Sequence, residues 1–134
     1  MPELEEVGIN YSAAAVTLVT TAETVVISSG RVPVPRQTCQ VLIRAQCVLA
    51  TGAGTTTVTP RIRRGTTTAG TEVGVGIAQE VKAAAGSKEL FAETVMEERQ
   101  NVDSVEYSFT LAQASASGNG AAAQLSIQVE ILGG

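Results

Sequence analysis

The sequence has no histidine and no tryptophan, and Asp103 is its only aspartate. Without histidine, imidazole acid–base catalysis, the serine and cysteine triads and His-ligated zinc are all excluded. The serines have no candidate base and no G-x-S-x-G elbow. The composition therefore favours a structural or binding protein over an enzyme, and we expect neither a metal nor a cofactor.

Aromatic and charged residues are also scarce. Only Tyr11, Phe91, Tyr107 and Phe109 are aromatic, and charged residues make up 16% of the chain against 44% hydrophobic residues. This balance is not that of a disordered chain, so we expect a core of valine, isoleucine, leucine and alanine. A length of 134 residues predicts one globular domain.

No strongly basic surface is available for a nucleic acid. Thirteen acidic and nine basic residues give a formal charge of −4, whereas a nucleic-acid binder carries a basic footprint. The N-terminus is acidic and unlike a signal peptide, and no apolar run approaches the length of a membrane helix. We expect neither a nucleic acid nor a membrane as a partner, and a protein made and used without crossing a membrane.

The two cysteines, Cys39 and Cys47, fall on the same face of one predicted strand. Eight residues of strand separate their Cα atoms by about 26 Å, too far for a disulfide within that strand. Two buried free thiols are the simpler interpretation. Pairing between strands or between subunits stays an alternative.

Threonine and valine dominate the chain and alternate with the period of a β-strand. The clearest strands are predicted over residues 24–28, 39–49, 55–64, 71–77, 105–113 and 124–132. About eight strands with turns every eight to twelve residues predict an all-β antiparallel sandwich or jelly roll.

Glycines and prolines divide these strands. Gly52-Ala53-Gly54 predicts a hairpin that joins 39–49 to 55–64, with Pro60 at an edge or a bulge. The glycines at 74 and 76 leave a face that another backbone can approach closely. Residues 78–85 are compatible with a helical turn, a strand or a polar loop.

Two segments could hold a partner. Arg61, Arg63 and Arg64 form a basic cluster that fits an anion or an ion pair on another protein, or simply a solvated face that protects an edge strand. At the N-terminus, Val7, Ile9 and Tyr11 alternate in an acidic arm. This arm either adds as a strand to a partner's sheet or is a terminus that is disordered or packs on its own chain.

The segment Thr55–Thr71 resembles a segment of small virion proteins of tailed bacteriophages. Those proteins carry an Arg-Ile-Arg-Arg-Gly-Thr strand and a Thr-Gly-Thr turn, followed near the C-terminus by a Tyr-x-Leu/Phe-x-Leu strand, a place that Tyr107–Leu111 fills here. The similarity in pattern covers about residues 15–132. It implies a jelly roll similar to the tumour-necrosis-factor fold, usually a homotrimer.

This resemblance implies a virion structural protein, and among such proteins a short chain favours a capsid decoration (cement) protein. The expected domains are an N-terminal arm over 1–12 and a jelly-roll sandwich over 13–134. The expected partners are two sister copies and the major capsid protein, and the expected location is the capsid surface after synthesis in the bacterial cytoplasm. Contacts are expected at Val7, Ile9, Tyr11, Arg61, Arg63 and Arg64. A receptor- or glycan-binding head of a phage tail or fibre is the alternative.

Overall fold

The computed structural model describes residues 4–12, 14–34, 38–51, 54–82, 88–93, 97–100, 102–114 and 120–132. Within them the chain forms strands and connections only, and no helix there is long and apolar enough to span a membrane. The strands are β1 (Leu4–Ser12), β2 (Val16–Thr17), β3 (Thr24–Ser28), β4 (Val32–Pro33), β5 (Thr38–Thr51), β6 (Thr55–Arg64), β7 (Glu72–Val75), β8 (Gln79–Lys82), β9 (Lys88–Glu93), β10 (Glu97–Gln100), β11 (Ser104–Val105), β12 (Tyr107–Gln113) and β13 (Gly120–Leu132).

The main strands occupy eight positions in two antiparallel sheets. In the first sheet the order is β1, β13, β5 and then β9 with β10, which share one edge of β5. In the second sheet the order is β3, β12, β6 and then β7 with β8, which share one edge of β6. This order is the connectivity of a jelly roll. The predicted all-β sandwich of about eight strands is confirmed.

The core lies between the two sheets and follows the alternation of the sequence. On β5 the side chains of Cys39, Val41, Ile43, Ala45, Cys47 and Leu49 are buried, as the pattern predicted. Leu125, Ile127, Val129 and Ile131 of β13 lie beside them, and Tyr107, Phe109 and Leu111 of β12 come from the opposite sheet. Every second residue of β5 enters this layer, and of the four aromatics only Tyr107 and Phe109 are buried in it.

Both cysteine side chains are buried free thiols, as the simpler interpretation predicted. Burial raises the pKa of the Cys47 thiol to about 12, and it also raises the pKa of Cys39. Since the thiolate is the reactive form, both groups are inert in the folded protein.

The predicted hairpin between 39–49 and 55–64 is wrong. β5 pairs with β13, β9 and β10, whereas β6 pairs with β12, β7 and β8. The chain passes from one sheet to the other between them, because a glycine-rich connection serves a crossover as well as a hairpin. Pro60 lies between the residues of β6 that pair with β8 and those that pair with β7, and it pairs with Leu111 of β12 on the other side. The predicted edge position is therefore wrong, and the pairing with β12 runs through Pro60 without a bulge.

The two sheets meet at one corner through Val75 of β7, which pairs with Glu93 of β9. The next residue, Gly76, donates its N–H to the carbonyl of Pro60 at 3.0 Å. A Cβ at Gly76 would lie 1.7 Å from the carbonyl oxygen of Phe91, so the predicted close backbone approach is confirmed here. Residues 79–82 form β8, so the strand alternative holds there, while 83–85 lie outside the described residues.

Gln113 closes the end of the sandwich where β13 begins. Its amide nitrogen donates to the carbonyls of Leu18 and Thr20, both at 2.9 Å, and its amide oxygen accepts from the N–H of Gly120 at 3.1 Å. The side chain is buried, so these three bonds replace the water that it loses. One glutamine therefore holds the segment before β3 against the start of β13.

Candidate functional site

The six residues predicted to contact a partner do not form one surface. Arg61 and Arg63 alternate on β6, on the outer face of the second sheet, while Arg64 ends that strand beside Tyr107. Val7, Ile9 and Tyr11 lie on β1, at the edge of the first sheet. The structure therefore separates the arginines from the predicted arm, and each group has to be judged by its own contacts.

Arg61 and Arg63 are paired within the chain. Glu23, which precedes β3, accepts two hydrogen bonds from Arg63: one from Nε, and one from Nη2 at 2.8 Å. Arg61 lies 2.8 Å from Glu72 and 3.5 Å from Glu23, and Arg63 also donates to the carbonyl of Gly70 at 2.9 Å. These carboxylates occupy the guanidinium groups that an external anion would need, which weakens the anion-site interpretation of this face.

We expect Glu23→Gln to lower the free energy of unfolding by about 2 kcal/mol at neutral pH, since a bidentate bond to a charged partner is lost. The hydrogen bonds from Arg63 hold the pKa of Glu23 below its ordinary value of 4.5. A depressed pKa gives stability that is present above 4.5 and lost as the pH falls through the folded-state value. Urea unfolding at neutral and at acidic pH measures both effects.

The matched control is Glu80→Gln, because Glu80 forms an exposed pair with Lys82 at 3.3 Å. Such a pair contributes little, so this variant should unfold almost like the parent. Equal losses for the two variants would show that the Glu23 pair does not stabilise the fold.

Arg64 belongs to a second network, at the end of the core between the sheets. Its guanidinium binds Glu97 of β10, and the hydroxyl of Tyr107 donates to the other oxygen of that carboxylate at 2.5 Å. Arg99 donates to the same hydroxyl at 3.2 Å. Burial, and then the hydrogen bond to Glu97, raise the pKa of Tyr107. This network joins β6 and β12 of one sheet to β10 of the other, which is a structural role.

The N-terminal arm is a strand of the sandwich in this chain. Residues of β1 pair with β13 from Leu4 opposite Leu132 to Ser12 opposite Leu125. This is the alternative in which the arm packs on its own chain, and addition to a partner's sheet stays a prediction. Ile9 and Tyr11 are 49% and 73% exposed on the outer face, so they remain accessible.

A mixed cleft lies on the outer face of the first sheet. Tyr11, Ser126, Gln46 and Phe91 stand opposite one another on β1, β13, β5 and β9 and form one row across it. The cleft has a volume of about 320 Å³ and is bounded also by Ile9, Arg44 and Gln128. Sequence reasoning named Tyr11 and Phe91 as available aromatics but did not place them in one row, because the strands that carry the row lie far apart in the chain.

A second depression lies at the corner where β7 meets β9, and its most exposed members, Val75 and Ile77, are here called the seam patch. These side chains are 54% and 78% exposed, and the depression has a volume of about 300 Å³. The sequence predicted one strand over 71–77 that would carry both residues on the face opposite the glycines. β7 ends at Val75, so Ile77 lies beyond the strand.

No three metal-ligating side chains cluster within the part of the chain that the structure describes. No protein-family model matches this chain, and no curated protein is similar to it. The function therefore has to be inferred from the contacts and exposed surfaces of the chain itself.

Proposed function

We propose that this protein is a capsid decoration protein of a tailed bacteriophage, which binds the finished shell as a homotrimer and stabilises it. The observation that carries the proposal is the seam patch on a jelly-roll sandwich. Ile77 is the most exposed of the large aliphatic side chains in the described residues, at 78%, and Val75 lies beside it. Val19 and Ile9 are also exposed, but Val75 and Ile77 are the two exposed aliphatics that line the same depression.

Covering the seam patch would be favourable. Each of its two side chains contributes roughly 1.5–3 kcal/mol when fully removed from water. Among the residues around it, Gln79 and Glu89 supply a polar rim, which is the usual arrangement of a protein interface. A sister copy is the occupant that we propose, because the sequence resemblance implies a threefold assembly.

The charges support protein contacts rather than nucleic-acid contacts. Arg61, Arg63 and Arg64 are all bound to carboxylates of the same chain. A shell protein can instead add a strand to β1, which lies at the edge of the first sheet with β13 on its other side. Trimers placed at threefold positions would bridge neighbouring capsomers and resist the outward pressure of packaged DNA.

The mass in solution and the copy number in particles test this function. We expect an assembly of three chains of 13.8 kDa and a regular array on shells that lack the protein. A copy number near three chains for each threefold position of the shell supports decoration. A solitary chain that does not bind shells would contradict the proposal, and a handful of copies per particle would place the protein at the tail.

We expect Ile77→Ser to convert the trimer to single, folded chains and to lower shell occupancy, since the side chain makes little contact within its own subunit. The matched control is Val19→Ser. Val19 is another exposed aliphatic, 65% accessible, and it does not line the depression at the seam patch. Sedimentation of both variants measures the effect. If both remain trimers, the subunits do not meet at the seam patch.

A further inference from the structure

The cleft on the outer face of the first sheet combines two exposed aromatic rings with a polar floor. Tyr11 and Phe91 stand at the ends of the row, 73% and 50% exposed. Three strand spacings separate them, which is about 14 Å between their Cα atoms. Ser126 and Gln46 lie between them in the same row. The cleft therefore has an aromatic wall at each end and hydrogen-bonding groups on its floor.

The adjoining row adds amide and guanidinium groups. Gln128 and Arg44 stand opposite each other on β13 and β5, two residues along from Ser126 and Gln46 and therefore on the same face. The amide nitrogen of Gln128 donates to Glu130 at 2.7 Å, which fixes the orientation of this side chain on the outer face. The floor thus offers hydroxyl and carboxamide groups that both donate and accept, together with guanidinium donors.

A saccharide matches this chemistry. Its ring presents an apolar C–H face, which packs on an aromatic ring, and a rim of hydroxyls that both donate and accept hydrogen bonds. A volume of about 320 Å³ lies at the lower end of the range for small-molecule sites. We propose that this cleft binds a short saccharide, with its sugar rings packed on Tyr11 and Phe91 and its hydroxyls bound to Gln46, Ser126 and Gln128.

This site goes beyond the decoration function and does not depend on it. Strand addition at β1 would use the edge of the first sheet, and the trimer contact would use the seam patch. Phe91 also lines the depression at that patch, so a sister copy would approach one end of the cleft, while Tyr11 and the floor stay on the open outer face. A decorated particle would then display a saccharide site at every position that holds a trimer. Many weak sites on one particle give an avidity far above that of a single cleft.

Titration of the folded, isotope-labelled protein with maltotriose, cellotriose, chitotriose and mannotriose tests the proposal by amide NMR shifts. We expect at least one of these to shift the amides around Tyr11, Gln46, Phe91 and Ser126. Phe91→Ala should weaken that binding about tenfold, the equivalent of one lost aromatic contact of about 1.4 kcal/mol. Phe91→Tyr should retain it, and Val19→Ser, which lies outside both depressions, should leave it unchanged.

Two results would overturn the proposal. One is that none of the four trisaccharides shifts these amides. The other is that Tyr11→Ala and Phe91→Ala lower shell occupancy while saccharide titrations stay as for the parent, which would assign the cleft to a shell protein. Thermal unfolding of each variant shows that its fold is intact, so a loss of binding is not a loss of structure.

Discussion

Replacing Gly76 by alanine is expected to lower the free energy of unfolding by about 3 kcal/mol. The added Cβ would lie 1.7 Å from the carbonyl oxygen of Phe91 and 2.7 Å from Cγ of Pro60. Neither neighbour is a flexible side chain that can turn away, since one is backbone of β9 and the other is a proline ring. The corner where the two sheets join would have to open. Urea unfolding of the variant measures the loss.

Gly30→Ala is the matched control, because it tests backbone conformation without crowding. Gly30 has a φ of +69° and no heavy atom within 4 Å of an added Cβ. Alanine there should cost about 1 kcal/mol, the usual penalty for a side chain in the left-handed region. If Gly76→Ala costs no more than Gly30→Ala, then β7 and β9 do not approach as closely as described.

Tyr107→Phe is expected to destabilise the protein by about 2 kcal/mol, although it removes one oxygen and leaves the ring in place. The hydroxyl is buried, donates to Glu97 at 2.5 Å and accepts from Arg99 at 3.2 Å. The variant removes one hydrogen-bond donor from the carboxylate of Glu97. The side chain of Glu97 is only 9% exposed, so little water can replace that donor. Tyr11→Phe is the control, since Tyr11 is 73% exposed and the change should cost less than about 0.5 kcal/mol.

The same variant should also change the response to alkaline pH. The pKa of Tyr107 is raised above its ordinary value of 10.0, so the unfolded chain ionises first as the pH passes that value. Stability from this group is complete below pH 10.0 and is lost as the pH rises toward the folded-state pKa. Tyr107→Phe should therefore lose less stability in this range than the parent. If the free energy of unfolding falls equally with pH for the two proteins, then ionisation of the Tyr107 phenol is not linked to unfolding.

The strands were predictable where a single rule decides them. β5 places every second residue in the core, and β13 does so on each side of an irregularity between Ala123 and Ser126, so alternation located both strands to within a few residues. β12 shows the limit of this rule, because Ser108 and Thr110 on its outer face are as buried as its core residues. Ser108 donates to the carbonyl of Gly65 at 2.5 Å, a contact that no local pattern indicates.

The pairing of strands and charges was not predictable in this way. The glycine connection after β5 fits a hairpin and a crossover equally, and only the partners of β6 distinguish them. Arg63 meets Glu23 from a position 40 residues away, so the sequence showed a basic cluster without the carboxylate that neutralises it. The alternation over 71–77 also did not indicate that β7 ends at Val75 and leaves Ile77 beyond the strand.

The pairing of β1 with β13 has a consequence for how the molecule is made. Leu4 stands opposite Leu132, so the first described strand completes its sheet only with the last one. On the ribosome, β1 must wait until β13 has emerged before it gains its neighbour, and such distant closure slows folding. Until then, β1 would be an exposed ribbon during synthesis, with Ile9 and Tyr11 available to chaperones or to the corresponding strand of a nascent sister chain.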